Sequence, residues 1–162
     1  MRSGKILVAE HDGSFVIKLV GDVRLTLCTT IDDFYDRMFS APSFFSVVID
    51  LTDAIGIDST SLGLLAKLSI RSKKEFDLTP AIISTNPDIT RLIQSMGFDK
   101  VFKIHQEPVR NETLGELPLV PSNEDSMRTK VIEAHKILMG LNSQNQAKFS
   151  DLMVALESSR PH

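Results

Sequence analysis

Apolar residues come in short β-branched runs that alternate with stretches of helical spacing. Lys5-Ile6-Leu7-Val8-Ala9 is a β-prone run, and Phe15-Val16-Ile17-Lys18-Leu19-Val20 is a second, closed by Gly21. Between them, His11-Asp12-Gly13-Ser14 is a turn cluster whose Asp-Gly pair signals a hairpin. The period then changes. Ile31, Phe34, Tyr35 and Met38 recur at i, i+3, i+4 and i+7, predicting a helix over 26–40 with Asp32, Asp33 and Asp36 on its other side. Thr29 and Thr30 are its candidate caps, and Ala41-Pro42 ends it, because proline disfavours helix in the residue before it.

Phe44-Phe45-Ser46-Val47-Val48-Ile49-Asp50-Leu51 is apolar almost without interruption, the pattern of a strand covered on both faces. Thr52 to Asp58 reads as a short connection. A helix from about Ser59 to Glu75 follows, with Leu62, Leu65, Ala66 and Leu68 in its stripe and Arg71, Lys73 and Lys74 complementing its C-terminal dipole. Pro80-Ala81-Ile82-Ile83-Ser84 is the next buried strand. Asn86-Pro87 opens a third helix, with Asn at the cap and Pro at the first helical position; Ile89, Leu92, Ile93 and Met96 form its face and Gly97 its stop. Val101-Phe102-Lys103-Ile104 is a last strand. The order ββαβαβαβ describes an α/β domain over residues 1–106.

Residues 107–125 change character. Pro108, Pro118 and Pro121 stand among many acids, which reads as a linker or a strap across the surface. From 126 to 157, Met127, Val131, Ala134 and Leu138 and then Phe149, Leu152, Met153 and Leu156 recur at helical spacing, with Gly140 and Asn142 between them. This predicts a C-terminal helical hairpin, with Ser158 to His162 frayed. The hairpin is expected to pack on its own domain; the alternative is that the 149–156 stripe faces another protein.

Composition narrows the class. The 162 residues suit one domain with an appendage. The apolar share is 42% and the charged share 24%, which excludes a disordered chain. No run approaches the roughly 20 apolar residues of a membrane span, and the N-terminus does not read as a signal peptide. Eighteen Lys and Arg against 21 Asp and Glu give a net charge of −3, so no basic footprint for nucleic acid is present. Cys28 is the single cysteine, which rules out an internal disulfide or a cysteine zinc cage and fits a reducing cytoplasm.

Candidate chemistry is sparse. Ser59 lies in Ile57-Asp58-Ser59-Thr60-Ser61-Leu62-Gly63, where a connection meets a helix start. Free backbone N–H groups there favour negative charge and suit a phosphate. On local physics alone, Asp58 or Ser59 is simply an N-cap. A second pattern is that of a phosphate-accepting receiver: Glu10 and Asp12 after strand one, Asp50 as acceptor, Ser84, and Lys103 near the last strand. Against it, a strand rather than a helix follows the acidic cluster, and Asp50 is followed by Leu51-Thr52 instead of Met-Pro. His11, His105, His135 and His162 lack ligand spacing and read as surface or structural residues. Cys28 reads as packed. Ile57 and Ser61 replace the glycines of a hydrolase elbow around Ser59. No phosphate-binding glycine-rich loop is visible. No enzyme, metal or cofactor is expected.

The segment VVIDLTDAIGIDSTSLG, Val47 to Gly63, followed by LLAKL, resembles the STAS family of bacterial anti-sigma-factor antagonists. Gly21-Asp22, Ile82-Ile83-Ser84 and LIQSMGFDKVFKI fit the same order of elements, over about residues 1–106. The resemblance implies a STAS-like mixed sheet. It maps Asp58 and Ser59 onto the motif's Asp and phospho-acceptor Ser, Thr60 onto the next hydroxyl residue and Gly63 onto the helix glycine. It departs at Ser61, where many members carry Gly, and in the tail, which the minimal domain lacks. It implies a partner-switching regulator of transcription without activity of its own, which binds an anti-sigma-factor-like serine kinase through Asp22, Arg24, Ile57, Asp58, Ser59, Thr60, Ser61, Leu62 and Gly63. The loops at 22–24 and 84–88 would contribute, and a metal-dependent serine phosphatase would reset Ser59. A non-switching scaffold or transporter-associated module of the same fold, and a receiver-like domain using Asp50, are the alternatives. Self-association stays open.

Overall fold

The computed structural model describes residues 3–107 and 114–158. The chain opens with the expected hairpin, β1 (Lys5–His11) and β2 (Ser14–Val23), paired antiparallel from Lys5–Val20 to His11–Ser14. Asp12 and Gly13 form its two-residue turn, both with positive φ (50° and 86°), which is why Asp-Gly is suited there. A 3-10 turn (Leu25–Leu27) leads into α1 (Cys28–Phe39), followed by β3 (Ser46–Asp50).

The segment 52–58 is not a plain connection. It contains β4 (Ala54–Ile57), which runs into α2 (Ser59–Phe76). Nor does Gly21 close the second strand. With φ at 82° it absorbs a bulge between Gly21 and Asp22, so β2 continues to Val23. Its first half pairs with β3 and its last residues pair with β4, both parallel. After α2 come β5 (Ala81–Ile83), α3 (Pro87–Ser95), a second 3-10 turn (Phe98–Lys100) and β6 (Lys103–His105). The two-residue β7 (Gly115–Glu116) then adds to the free edge of β1. The sheet order among described residues is β6-β5-β3-β2-β1-β7, with β4 alongside the end of β2. The fold is mixed α/β, and one core of aliphatic and aromatic side chains, including Ile6, Ile17, Leu19, Tyr35, Ile49, Leu65 and Phe98, lies under the helices.

The tail forms two helices, α4 (Glu124–Met139) and α5 (Ser143–Ser158). The chain reaches them as a strap: Leu117 is buried and donates to Ile6 O, and Val120 N donates to Thr30 Oγ1 of α1. Part of the expected linker, 108–113, and the last residues, 159–162, lie outside the described residues.

The hairpin packs on its own chain. Phe149 and Met153 are buried, whereas Leu152 is exposed. Its site is the outer face of α2, which explains a feature of that helix: Thr60 to Ala66 is buried without a break. A helix packed on one side only would leave every third or fourth position in water.

Candidate functional site

The site begins where β4 ends beside β2. Asp58 N donates to Val23 O, so the start of α2 is tied to the end of the central strand. Asp58 then caps the helix. Its Oδ1 accepts from Ser61 N at 2.8 Å and its Oδ2 from Leu25 N at 2.7 Å. The cap reading is therefore met by Asp58, and Ser59 stands at the first helical position with its hydroxyl free of capping duty.

That hydroxyl reaches out of the sheet domain. Ser59 Oγ lies 2.7 Å from His135 Nε2 of α4. The other ring nitrogen, Nδ1, lies 2.7 Å from Val131 O, and a carbonyl only accepts, so Nδ1 carries the hydrogen. In the neutral ring Nε2 is then the acceptor, and Ser59 donates to it. The imidazole is 2% exposed and stands edge-on to the Phe149 ring of α5, with centroids 5.0 Å apart.

Further along, α2 and α4 touch closely. A Cβ built on Gly63 would lie 2.5 Å from the Cβ of Ala134. Glycine is required here by the approach of the second helix, since its φ is ordinary. One turn on, Lys67 Nζ bridges Asp32 of α1 (3.0 Å) and Glu133 of α4 (2.7 Å), and Lys130 Nζ reaches the same Asp32 at 2.7 Å. Burial pushes the Asp32 carboxyl up, but the hydrogen bonds from Lys130 and Lys67 outweigh it and hold the group below the ordinary carboxylate range.

The residues singled out from sequence fall into two sets. Asp22, Ile57, Asp58 and Ser59 are partly exposed and Arg24 is exposed; Arg24 Nε donates to Asp22 Oδ2 at 2.8 Å. Thr60, Ser61, Leu62 and Gly63 are buried, so in this conformation they present no surface. Ser61 does not stand as a second open hydroxyl: it is 1% exposed and its Oγ lies 3.7 Å from Cys28 Sγ. Cys28 is packed as expected, and burial pushes its thiol up to about 12. The 84–88 loop lies at the same end of the sheet, with Asn86 capping α3 through Asp88 N. His135, read from the sequence as a surface or structural histidine, is buried and is the residue whose role at the site the sequence does not indicate. Its partner stands 76 positions away, and no local motif reports such a pair.

The receiver reading is overturned by strand direction. Glu10 sits opposite Phe15, which pairs with Val47 at the start of β3, whereas Asp50 ends β3 opposite Lys18. The acids and the would-be acceptor thus occupy opposite ends of the sheet. Lys103 pairs with Ala81 at the start of β5, away from Asp50, and Ser84 is buried with its Oγ 2.8 Å from Thr90 Oγ1. Asp50 is itself buried and accepts from Thr52 N. Among the described residues no group of three or more His, Cys, Asp or Glu could hold a metal ion. Among them, too, no helix is long and apolar enough to cross a membrane.

The domain is mixed α/β, with β4 running into a helix start capped by Asp58 and the partly exposed Ser59 at its first position. The chain belongs to the STAS domain family, whose model matches residues 5–110. It is similar in structure to an anti-sigma factor antagonist from Mycobacterium paratuberculosis (TM-score 0.53, 27% identity), covering 65% of this chain and 87% of that one. It is also similar to an uncharacterized protein of the DUF3478 family with a SpoIIAA-like fold from Shewanella loihica PV-4 (TM-score 0.45, 17% identity; 65% of this chain, 89% of that one).

Proposed function

We propose that the chain is an anti-sigma-factor antagonist-like regulator whose binding to a protein partner is set by reversible phosphorylation of Ser59. The observation that carries this reading is the division of labour at the helix start. Asp58 does the capping, so the Ser59 hydroxyl can be esterified without loss of the cap. The 27% identity to an anti-sigma factor antagonist supports the same class of partner. The partner is an anti-sigma-factor-like serine kinase. Ser59 Oγ attacks the terminal phosphorus of its bound nucleoside triphosphate; the new O–P bond forms as the bond to the diphosphate breaks, and the hydroxyl proton leaves to a base. A metal-dependent serine phosphatase reverses the step with water as the nucleophile. The chain itself acts as a binding module in the cytoplasm and catalyses nothing.

The energetics suit a switch. A phosphate adds about −1.5 to −2 charges beside Asp58. The first-turn amides of α2 compensate within the chain, whereas a partner docked on Asp22, Arg24, Ile57, Asp58 and Ser59 meets new charge and bulk. Losses at an interface centre of a few kcal/mol correspond to roughly ten- to thousandfold in affinity. Phosphopeptide mapping of the chain isolated from its own cells tests the acceptor. Acid-stable phosphate on the peptide carrying Ser59 supports the reading. Phosphate elsewhere, or none under conditions that activate the pathway, contradicts it and favours a non-switching module.

A further inference from the structure

We propose that the C-terminal hairpin is an internal occupant of the α2 face, latched by the Ser59–His135 bond, and that phosphate on Ser59 releases it. This rests on the reading of Ser59 as a phospho-acceptor and adds a consequence for the tail. Three observations converge on it.

The first is the direction of the latch. Val131 O fixes the hydrogen on Nδ1 of His135, so Nε2 meets Ser59 as an acceptor at 2.7 Å. A phosphoserine Oγ is an ester oxygen with no hydrogen to donate. Esterification thus replaces a donor–acceptor pair with two acceptors face to face, and it adds three further oxygens that need water or donors.

The second is the absence of slack. His135 is 2% exposed, with Phe149 against one edge of the ring, and Ala134 rests on Gly63 so closely that a single added methyl would collide. Two helices packed at this distance cannot admit a phosphate between them without separating.

The third is the distribution of the remaining ties. Lys67 and Lys130 clasp α4 to Asp32, and both are already committed there. At the other end of the hairpin, Asn145 Nδ2 donates to Met96 O at 2.9 Å and to Leu138 O at 2.8 Å, and Lys100 Nζ donates to Leu141 O. These latter ties are at the α4–α5 turn and do not involve Ser59. They form a pivot about which α4 lifts.

The consequence is a change of surface, beyond a change of charge. The resting chain shows a partner the rim of Asp22, Arg24, Ile57, Asp58 and Ser59 beside a docked hairpin. The phosphorylated chain loses that rim and uncovers the Gly63 side of α2 together with the apolar side of the hairpin, Leu138, Phe149 and Met153. One modification would then dismiss one partner and present new surface to another.

Hydrogen exchange on the full chain tests this without any partner. A chain carrying phosphoserine installed at position 59 during synthesis is compared with the unmodified chain. The expected result is exchange in α4 faster by about tenfold or more, with β3 and β5 unchanged. Exchange in α4 that is unchanged or slower, as it would be if His135 clasped the phosphate, overturns the proposal. Ala134→Arg forces the helices apart with Ser59 intact and is expected to expose the same peptides. A folded Ala134→Arg chain with α4 still protected also overturns it. Failure here leaves the Ser59 switch standing, because the switch fails by a different sign: no phosphate on Ser59 in the cell.

Discussion

Gly63 of α2 and Ala134 of α4 meet with so little space that a Cβ on the glycine would lie 2.5 Å from that of the alanine. The contact fixes the tail against the helix that carries Ser59, and it inverts an ordinary expectation. Replacing a helix-interior glycine by alanine normally stabilises by about 1 kcal/mol. Here Gly63→Ala should instead cost about 1–3 kcal/mol, the range for overpacking a dense contact. Urea unfolding of the full chain measures the sign directly. A more stable variant would mean that α4 does not rest on Gly63.

Asp58 makes two bonds, to Ser61 N and to Leu25 N. Asp58→Ala removes both and should destabilise by about 1–3 kcal/mol, somewhat more than a single lost cap. Asp58→Asn keeps the acceptor oxygen for one of them and should lose less. Midpoints of urea denaturation for the two variants give the comparison.

The clasp on Asp32 gives the tail a pH window. Asp32 is held below its ordinary range, so its contribution is present above the unfolded carboxylate value of about 4 and fades as pH falls through its lower folded value. Burial pulls the Lys67 ammonium down, but Glu133 and Asp32 outweigh it and raise the group, so its contribution is present below about 10.4 and fades as pH rises through the higher folded value. The Asp32 part of the exchange protection of α4, once corrected for intrinsic rates, should therefore be lost below about pH 4. Asp32→Asn should remove the acid limb and loosen α4 by about 1–3 kcal/mol at neutral pH. An unaltered acid limb in that variant would place its origin elsewhere.

Cys28 is fully buried, and burial raises its thiol to about 12, with Ser61 pulling in the opposite direction. The native chain should leave it unmodified by a thiol reagent at pH 8 and yield one reactive thiol per chain in denaturant. Rapid labelling of the native protein would show that α1 opens more readily than its packing implies.

Several features of this arrangement were written in the sequence, and the reasons are local. Asp12-Gly13 announces its turn because both residues accept positive φ, and Asn86-Pro87 announces α3 because both positions are chemically selective. Residues 54–57 do not announce a strand because Ala54-Ile55-Gly56-Ile57 is short, contains glycine and pairs only with the end of β2. Gly21 has the signature of a strand end, but its positive φ serves a bulge instead. The docking of the tail left one trace, the run Ser61-Leu62-Gly63-Leu64-Leu65-Ala66, too apolar for a helix wetted on one side. What it docks against, and the meeting of Ser59 with His135, depend on chain reversal across the strap and have no signature at either residue.

The central claim, that the state of Ser59 decides partner binding, is tested most directly with full-length Ser59→Ala and Ser59→Asp chains as matched baits in a native lysate, each captured protein quantified. The account predicts a serine-kinase-like protein retained by Ser59→Ala and depleted at least tenfold on Ser59→Asp. Equal recovery on both baits would contradict it.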